Sequence, residues 1–344
     1  MSGTSLDGLD LALCEIDGTR YRIVDATTVA YSNQWRQRLA SLDSGSAFEL
    51  ALAHADLGHL FGRLAHEFLA GRPCQAIASH GHTIFHQPDR GLTLQIGDPD
   101  AIAAECRLPV VSGFRTLDVA LGGQGAPLVP IGDQMFFSQY DACLNLGGIA
   151  NISYGRHRRI AFDICPCNMA LNRLAGEMGL DYDADGQLAR QGVNDCHLTR
   201  SLEMLDYYRL PAPKTLGKEW FVNHFWPVVE ASGLATVDKL RTINDHIASR
   251  IADALNKGNV RSVLVTGGGA HNSFLIETIR AWSPQIQVEV PDPLTVDYKE
   301  ALVFALLGYL RLNGKANTLC SVTGARADSV GGSLSGWEFR PDNQ

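Results

Sequence analysis

The sequence predicts an α/β protein of two domains, each a mixed sheet with helices on both faces. Three observations predict it. A strand, turn, strand and helix order opens the chain and recurs after residue 141. Four glycine clusters each abut a predicted strand. The 344 residues, 45% hydrophobic and 19% charged, are enough for two cores. Two such domains leave a cleft, the usual place for a ligand.

The elements follow in order. Residues 9–16 alternate apolar and polar as a strand should, Gly18 marks a turn, and residues 21–31 read as the second strand of a hairpin. Ser46 and Glu49 form a capping box, after which Leu50, Ala53, Leu57, Leu60, Phe61, Leu64 and Phe68 recur at helical spacing. Strands are expected at 75–79, 92–96 and 108–112, with a short helix before the last, capped by Asp98 and opened by Pro99. The second set has strands at 141–146, 149–154 and 159–163 and a helix over about 166–178. Residues 181–235 read as an insertion of short helices. Leu240, Ile243, Ile247, Ile251 and Leu255 give a long helix. A buried strand at 261–266, a glycine run, a helix, a strand at 286–290 and a helix over about 298–312 complete the pattern, and the tail has few periodic residues. The division expected is 1–119 with about 313–344 as one domain and 120–312 as the other.

Charge and cysteines narrow the classes. The formal charge is −8, from 29 basic and 37 acidic residues. No basic face is implied, so nucleic acid and acidic membranes are disfavoured as partners. No apolar run approaches the roughly 20 residues of a spanning helix. The opening MSGTSLDG has neither the basic nor the apolar region of a signal peptide. Eight cysteines without zinc spacing read as reduced thiols, and the expected location is cytoplasmic.

The glycine clusters are Gly3-Thr4-Ser5-Leu6-Asp7-Gly8, Gly122-Gly123-Gln124-Gly125, Asn145 to Asn151 around Gly147-Gly148, and Gly267-Gly268-Gly269-Ala270-His271-Asn272. Glycine lets backbone amides approach a phosphate and form anion nests. Hydroxyls such as Thr4 and Ser5 add donors, and Asp7 can hold magnesium directly or through water. Each cluster also reads as a tight turn. None is a G-x4-G-K-S/T loop or a G-x-G-x-x-G fingerprint, so a nucleotide site here needs another architecture.

Two glycine turns in duplicated halves, with a later GGG at a strand end, resemble the sugar kinase, Hsp70 and actin superfamily. More narrowly, the chain resembles the anhydro-N-acetylmuramic acid kinase family. The strings that carry this are MSGTSLDG (1–8), SHGHTI (79–84), QIG (95–97), GGQGAPLVP (122–130), NLGGIANIS (145–153), DADG (183–186), GGG (267–269), Glu300-Ala301 and VTG (322–324), in order over nearly the whole chain. The resemblance implies two actin-like, or ribonuclease H-like, domains around an ATP cleft. It implies conversion of 1,6-anhydro-N-acetylmuramic acid and ATP, with magnesium, to the 6-phosphate of the opened sugar in cell-wall recycling. It implies phosphate contacts at Gly3, Thr4, Ser5, Leu6, Asp7, Gly8 and Asp10 and at Gly147 and Gly148, and nucleotide contacts at Gly267, Gly268 and Gly269.

The family's catalytic base is the aspartate of a pattern like F-D-x-G-P-x-N. Phe162-Asp163-Ile164-Cys165-Pro166-Cys167-Asn168 matches it, with Cys165 in place of glycine. Asp163 would take a proton from the water that attacks the anomeric carbon, as the base of an inverting glycosidase does. The departing 6-oxygen then attacks the γ-phosphate. The alternative reading is a helix cap. By the same resemblance His82, Thr83, Arg115 and Glu300 contact the amino-sugar substrate. Arg115 suits the lactyl carboxylate, Thr116 stands where many relatives have a second arginine, and Glu300 reaches from across the cleft. The bland alternatives are a structural histidine, an Arg115–Asp118 salt bridge and an exposed first-turn Glu300. Lys214 and Lys218 match a family pattern and read as lid or supporting residues. Asp183 and Asp185 resemble paired acids near magnesium. Because the first phosphate loop is a hairpin turn in the family, a strand is expected before Met1. Other readings are a kinase of the superfamily acting on a different sugar, a nucleotide-driven binding protein, and a catalytically dead paralogue. A homodimer is left open.

Overall fold

A computed structural model describes residues 1–3, 6–156 and 158–336. The chain falls into two compact units, Met1–Phe136 with the residues from Tyr298 onward, and Phe137–Asp297.

The first unit opens on an antiparallel hairpin, β1 (Gly8–Asp17) and β2 (Arg20–Ala30), turned at Gly18 with φ +62°. Helix α1 (Asn33–Ser41) follows, capped by the Ser32 hydroxyl. Helix α2 (Ala47–Leu69) starts at the Ser46–Glu49 capping box that the sequence shows. Next come β3 (Ile77–Ala78), the hairpin β4 (His82–Gln87) and β5 (Leu92–Ile96), helix α3 (Pro99–Cys106) capped by Asp98, and β6 (Val110–Ser112). Two short helices, α4 (Thr116–Ala120) and α5 (Pro130–Phe136), end this stretch. Leu57, Phe61, Ile102 and Val110 are buried in its core.

The second unit is built on a five-stranded sheet. Strands β7 (Ala142–Leu146), β8 (Ile149–Tyr154) and β9 (Ile160–Pro166) form an antiparallel meander. Helix α6 (Asn168–Glu177) follows. The expected insertion carries α7 (Gln187–Gln191), α8 (Cys196–Glu203), α9 (Lys218–Trp220), a π-helical turn at Phe221–Phe225 and α10 (Trp226–Ala231). Helix α11 (Thr236–Lys257) precedes β10 (Ser262–Thr266), α12 (Ser273–Trp282) and β11 (Gln287–Glu289). Strand order is β11-β10-β7-β8-β9, with β10 parallel to both β7 and β11. That order, with an antiparallel meander on one side and parallel strands on the other, is the ribonuclease H-like arrangement expected from the sequence. Ile243, Ile247 and Ile251 of α11 join Leu144, Ile152 and Val263 of the sheet in one buried cluster.

Helix α13 (Pro293–Leu312) leaves helical geometry at Tyr298, φ −115°, and the chain passes there from the second unit back to the first. Helix α14 (Cys320–Thr323) and β12 (Ser333–Ser335) complete the first unit, β12 pairing antiparallel with β6, which also pairs parallel with β3. The unit boundaries thus fall at 136/137 and 297/298, not at the 119/120 and 312/313 read from the sequence. Packing explains the difference. Phe136 lies 4.7 Å from the Tyr21 ring, Gly132 sits so close to Val303 that a Cβ would overlap it, and Lys299 pairs with Asp133 at 2.7 Å. Among the described residues, no helix is long and apolar enough to cross a membrane.

Candidate active site

In the second unit, β9 carries the carboxylate that matters most at its midpoint, three residues short of Pro166, and not at the strand end expected from the sequence. Asp163 is partly buried, and its Oδ2 accepts the Leu216 N–H at 2.8 Å. Its backbone is held too. The Asp163 N–H donates to the Lys214 carbonyl at 3.0 Å, and the Tyr207 hydroxyl donates to the Asp163 carbonyl at 2.6 Å. Lys214 in turn donates through Nζ to the Tyr207 carbonyl and lies over its ring, 4.3 Å from the centroid. Loss of water around Asp163 raises its carboxyl above the ordinary value, and the Leu216 N–H offsets part of that. Oδ1 receives no hydrogen bond from a described residue. Asp163 does not cap α6, whose N-cap is Cys167, so the cap alternative fails.

The two cysteines beside it point elsewhere. Cys165 and Cys167 are fully buried in the core of this unit. Burial pushes the Cys167 thiol up to about 12 and that of Cys165 well above the ordinary value, so neither is reactive. All eight cysteines are free thiols, as expected. The departure from glycine at 165 therefore puts a sulfur into the core.

The turn between β7 and β8 is stitched to the start of α6. Cys167 and Met169 donate N–H to the Gly148 carbonyl, Asn168 donates N–H to the Gly147 carbonyl, and Asn168 Nδ2 donates to the Leu146 carbonyl at 2.9 Å. The GGG run leaves β10 against the same turn. Gly267 has φ +83° and ψ 164°, a conformation open essentially to glycine alone. A Cβ on Gly267 would overlap Asn145 Oδ1, and one on Gly269 would lie 2.7 Å from Leu146 Cβ. The backbones of the two glycine clusters therefore touch, and Asn272 caps α12 immediately after them. Gly147, Gly148, Gly267, Gly268, Gly269 and Asp163 thus belong to one unit.

The first unit holds the other predicted residues. Of the first glycine cluster, Thr4 and Ser5 lie outside the described residues. Leu6 donates N–H to the Gly3 carbonyl, and the exposed Asp7 takes the Gly8 N–H on Oδ1 at 3.0 Å. A Cβ on Gly8 would lie 2.5 Å from the Val29 carbonyl oxygen, which explains that glycine. Asp10 Oδ1 accepts the Thr28 hydroxyl at 2.7 Å.

His82 ends a buried chain in which the Tyr31 hydroxyl donates to Ser2 Oγ at 2.6 Å, with Ser2 Oγ 2.8 Å from His82 Nδ1. Burial lowers the His82 pKa below the ordinary histidine value, so the side chain is neutral at pH 7. Thr83 is on β4, with Gln95 Nε2 at 3.4 Å from its hydroxyl. Arg115 donates through Nε and Nη2 to His80 Nε2 and through Nη1 to the Gly125 carbonyl at 2.7 Å. His80 must accept there, so Nδ1 carries its proton toward the Gly81 carbonyl. Burial and the Arg115 charge push its pKa down to about 3. Two of the five Arg115 N–H groups remain. The Arg115–Asp118 pair does not form. Asp118 is buried and instead accepts from Gly125 N–H and the Thr323 hydroxyl.

Glu300 falls in the first unit with Arg115 and Asp10, so it does not reach from across a cleft. Its surface is exposed, yet the surrounding protein displaces enough water to raise its carboxyl, against the Arg115 and Met1 charges. Asp183 and Asp185 play structural parts. Asp183 is buried and accepts the Leu188 and Ala189 N–H groups in the first turn of α7, while Asp185 takes a left-handed turn. Sequence reasoning missed Tyr207, the Leu216 amide and the His80–Arg115 bond. The amide and the ring reach Asp163 from the insertion, which has no periodicity to place them.

The family model for anhydro-N-acetylmuramic acid kinase matches residues 1–336. The chain belongs to this family. It is similar to the anhydro-N-acetylmuramic acid kinase of Aliivibrio fischeri, 35% identical over 347 residues, covering 94% of this chain and 95% of that protein. The enzyme of the same name from Pasteurella multocida is 36% identical over 351 residues, covering 95% and 93%. That of Vibrio cholerae is 36% identical over 356 residues, covering 96% of each.

Proposed function

We propose that the chain opens the 1,6-anhydro ring of anhydro-N-acetylmuramic acid and transfers the γ-phosphate of ATP to its 6-oxygen, with Asp163 as the base. Family membership supplies the activity, a phosphotransfer to an alcohol group in peptidoglycan recycling. The observation that carries the role of Asp163 is its carboxylate: one oxygen fixed by Leu216, the other unengaged by a described residue, and a pKa raised by loss of water. A raised pKa makes the carboxylate a stronger base.

Water attacks the anomeric carbon and loses its proton to Asp163. The bond from that carbon to the 6-oxygen breaks, and the released oxygen takes the γ-phosphoryl group, with ADP leaving. The phosphoryl group captures the oxygen, so no separate acid is needed. Amides of Gly3, Gly147 and Gly148 would meet the phosphates and those of Gly268 and Gly269 the nucleotide, while the N–H groups of Gly8 and Gly267 are held by Asp7 Oδ1 and the Val296 carbonyl.

No group of three or more His, Cys, Asp or Glu able to hold a metal occurs among the described residues. Magnesium is bound by one or two carboxylates and completes its shell with phosphate oxygens and water. Asp7 is the carboxylate we assign to it. When bound, the ion neutralises charge on the phosphates. Arg115, with its two remaining N–H groups, His82, Thr83 and Glu300 would orient the sugar. We assign the protein to the cytoplasm, where ATP is supplied.

Incubation with ATP, magnesium and the anhydro sugar should release ADP. No release above the no-sugar control overturns the proposal, and release with other sugars instead points to a different sugar kinase.

A further inference from the structure

Strand β9 lies at one edge of its sheet, and at Asp163 that edge is met by a single stretch of the insertion, residues 207–216. The stretch grips Asp163 at three points. The Tyr207 hydroxyl donates to the Asp163 carbonyl at 2.6 Å, the Lys214 carbonyl accepts the Asp163 N–H at 3.0 Å, and the Leu216 N–H donates to Oδ2 at 2.8 Å. The Lys214 ammonium joins the two ends. It donates to the Tyr207 carbonyl at 2.9 Å and lies 4.3 Å from the centre of the Tyr207 ring. Behind Tyr207 the stretch is anchored. Tyr208 Oη is 3.0 Å from His246 Nε2 of α11, and the rings of Tyr207 and Tyr208 both pack against Trp220.

This is a poor place for an ammonium on grounds of stability alone. Lys214 is half-buried, and burial together with the charges of Lys257 and Arg250 lowers its pKa. Among the described residues no carboxylate pairs with it. What it gains is a hydrogen bond and a cation–π contact, both to Tyr207. The five residues between the grips, Arg209 to Pro213, are exposed, so the ammonium holds the two ends in register. A general base acts only within hydrogen-bond reach of the proton it takes, and a displacement of about 1 Å can cost about 100-fold in rate.

We propose that Lys214 is a positioning residue for the reaction: by tying the Tyr207 and Leu216 grips together, it aims the Asp163 carboxylate at the attacking water and keeps other water off it. This rests on Asp163 being the base. Lys214 itself touches neither sugar nor nucleotide, so its loss acts on kcat through Asp163.

Lys214→Met keeps the length of the side chain and removes the ammonium. In the full chain kcat should fall about 10–100-fold, with KM for ATP and for the anhydro sugar within about twofold of wild type. The acid limb of kcat/KM should also move to lower pH. Loosened grips return water to Asp163, which lowers its pKa, and give up the Leu216 N–H, which raises it; the water is the larger influence. Burial holds the neighbouring Tyr207 hydroxyl and Cys165 thiol protonated, so neither titrates on that limb. Lys214→Arg can donate to the same carbonyl and lie over the same ring, and should restore most of kcat. Tyr207→Phe removes one grip and leaves the ring, and should give the same kcat loss and the same shift of the acid limb; it decides the matter if Lys214→Met does not fold. Wild-type kcat in Lys214→Met overturns the proposal. So does a lowered kcat with an unmoved acid limb, or a rise of about tenfold in either KM, which would put Lys214 on a ligand. Asp163→Asn is assayed beside them. Turnover there within about tenfold of wild type fails the reading of Asp163 as base, whereas an inactive Asp163→Asn with a fully active Lys214→Met overturns the role of Lys214 alone.

Discussion

Gly267→Ala tests whether the GGG run is a built nest or an ordinary turn. The perturbation is one methyl group, and two costs follow from the geometry. The residue has φ +83° and ψ 164°, which costs a residue with a Cβ about 1–3 kcal/mol. The methyl would also overlap Asn145 Oδ1 and lie 3.1 Å from the carbonyl carbon and oxygen of Leu146, a packed turn that cannot yield freely. Overpacking of this kind costs about 1–3 kcal/mol more. The expected total is about 2–6 kcal/mol, read as a shift in the urea midpoint without a change in m. Gly268→Ala is the matched control. Its φ is not positive, and its Cβ would meet only Asn168 Nδ2 at 3.7 Å, so the fold should hold. If that amide meets the nucleotide, KM for ATP should rise several-fold while stability stays within about 0.5 kcal/mol. Wild-type stability in Gly267→Ala would refute the strain argument, and an unchanged KM in Gly268→Ala would refute the nucleotide contact.

Three further outcomes are expected. The acid limb of the kcat/KM profile should have an apparent pKa above the ordinary aspartate value, because water loss raises Asp163 and the base must be ionised to act; activity falls as pH drops through that pKa. Lys299→Met should lower stability by about 3–5 kcal/mol in thermal or urea unfolding, since it removes one half of a buried 2.7 Å ion pair with Asp133. Arg115→Lys should raise KM for the sugar at least tenfold with little change in KM for ATP, because an ammonium cannot hold His80 and Gly125 and still present two N–H groups.

The legible parts of the fold were those with local causes. The hairpin turned at Gly18, the Ser46–Glu49 box, the Asp98 cap with Pro99 and the α11 stripe all rest on neighbours in sequence. Strand β4 escaped because His82 to Gln87 has no apolar alternation, and the hairpin is set by pairing with β5. The short β12 is a strand only because β6 offers it an edge. The domain limits slipped because the helix expected over about 298–312 was counted with the second domain, while in the fold it packs with the first. In the site, Asp163 was visible as a motif. Its supports, Tyr207 and Leu216, come from 44 and 53 residues away, one through a ring hydroxyl and the other through a backbone N–H that any side chain could accompany. Likewise His80 and Arg115 lie 35 residues apart, and only the fold joins them.

The central claim is that Asp163 is the base for ring opening, and Asp163→Asn tests it most directly. Asparagine keeps an oxygen to accept the Leu216 N–H, so the fold and ATP binding should survive. ADP release dependent on the anhydro sugar is predicted to fall by about 10²–10⁴-fold, with ATP affinity by titration calorimetry unchanged. Turnover within tenfold of wild type would contradict the account, as would loss of ATP binding together with the lost turnover.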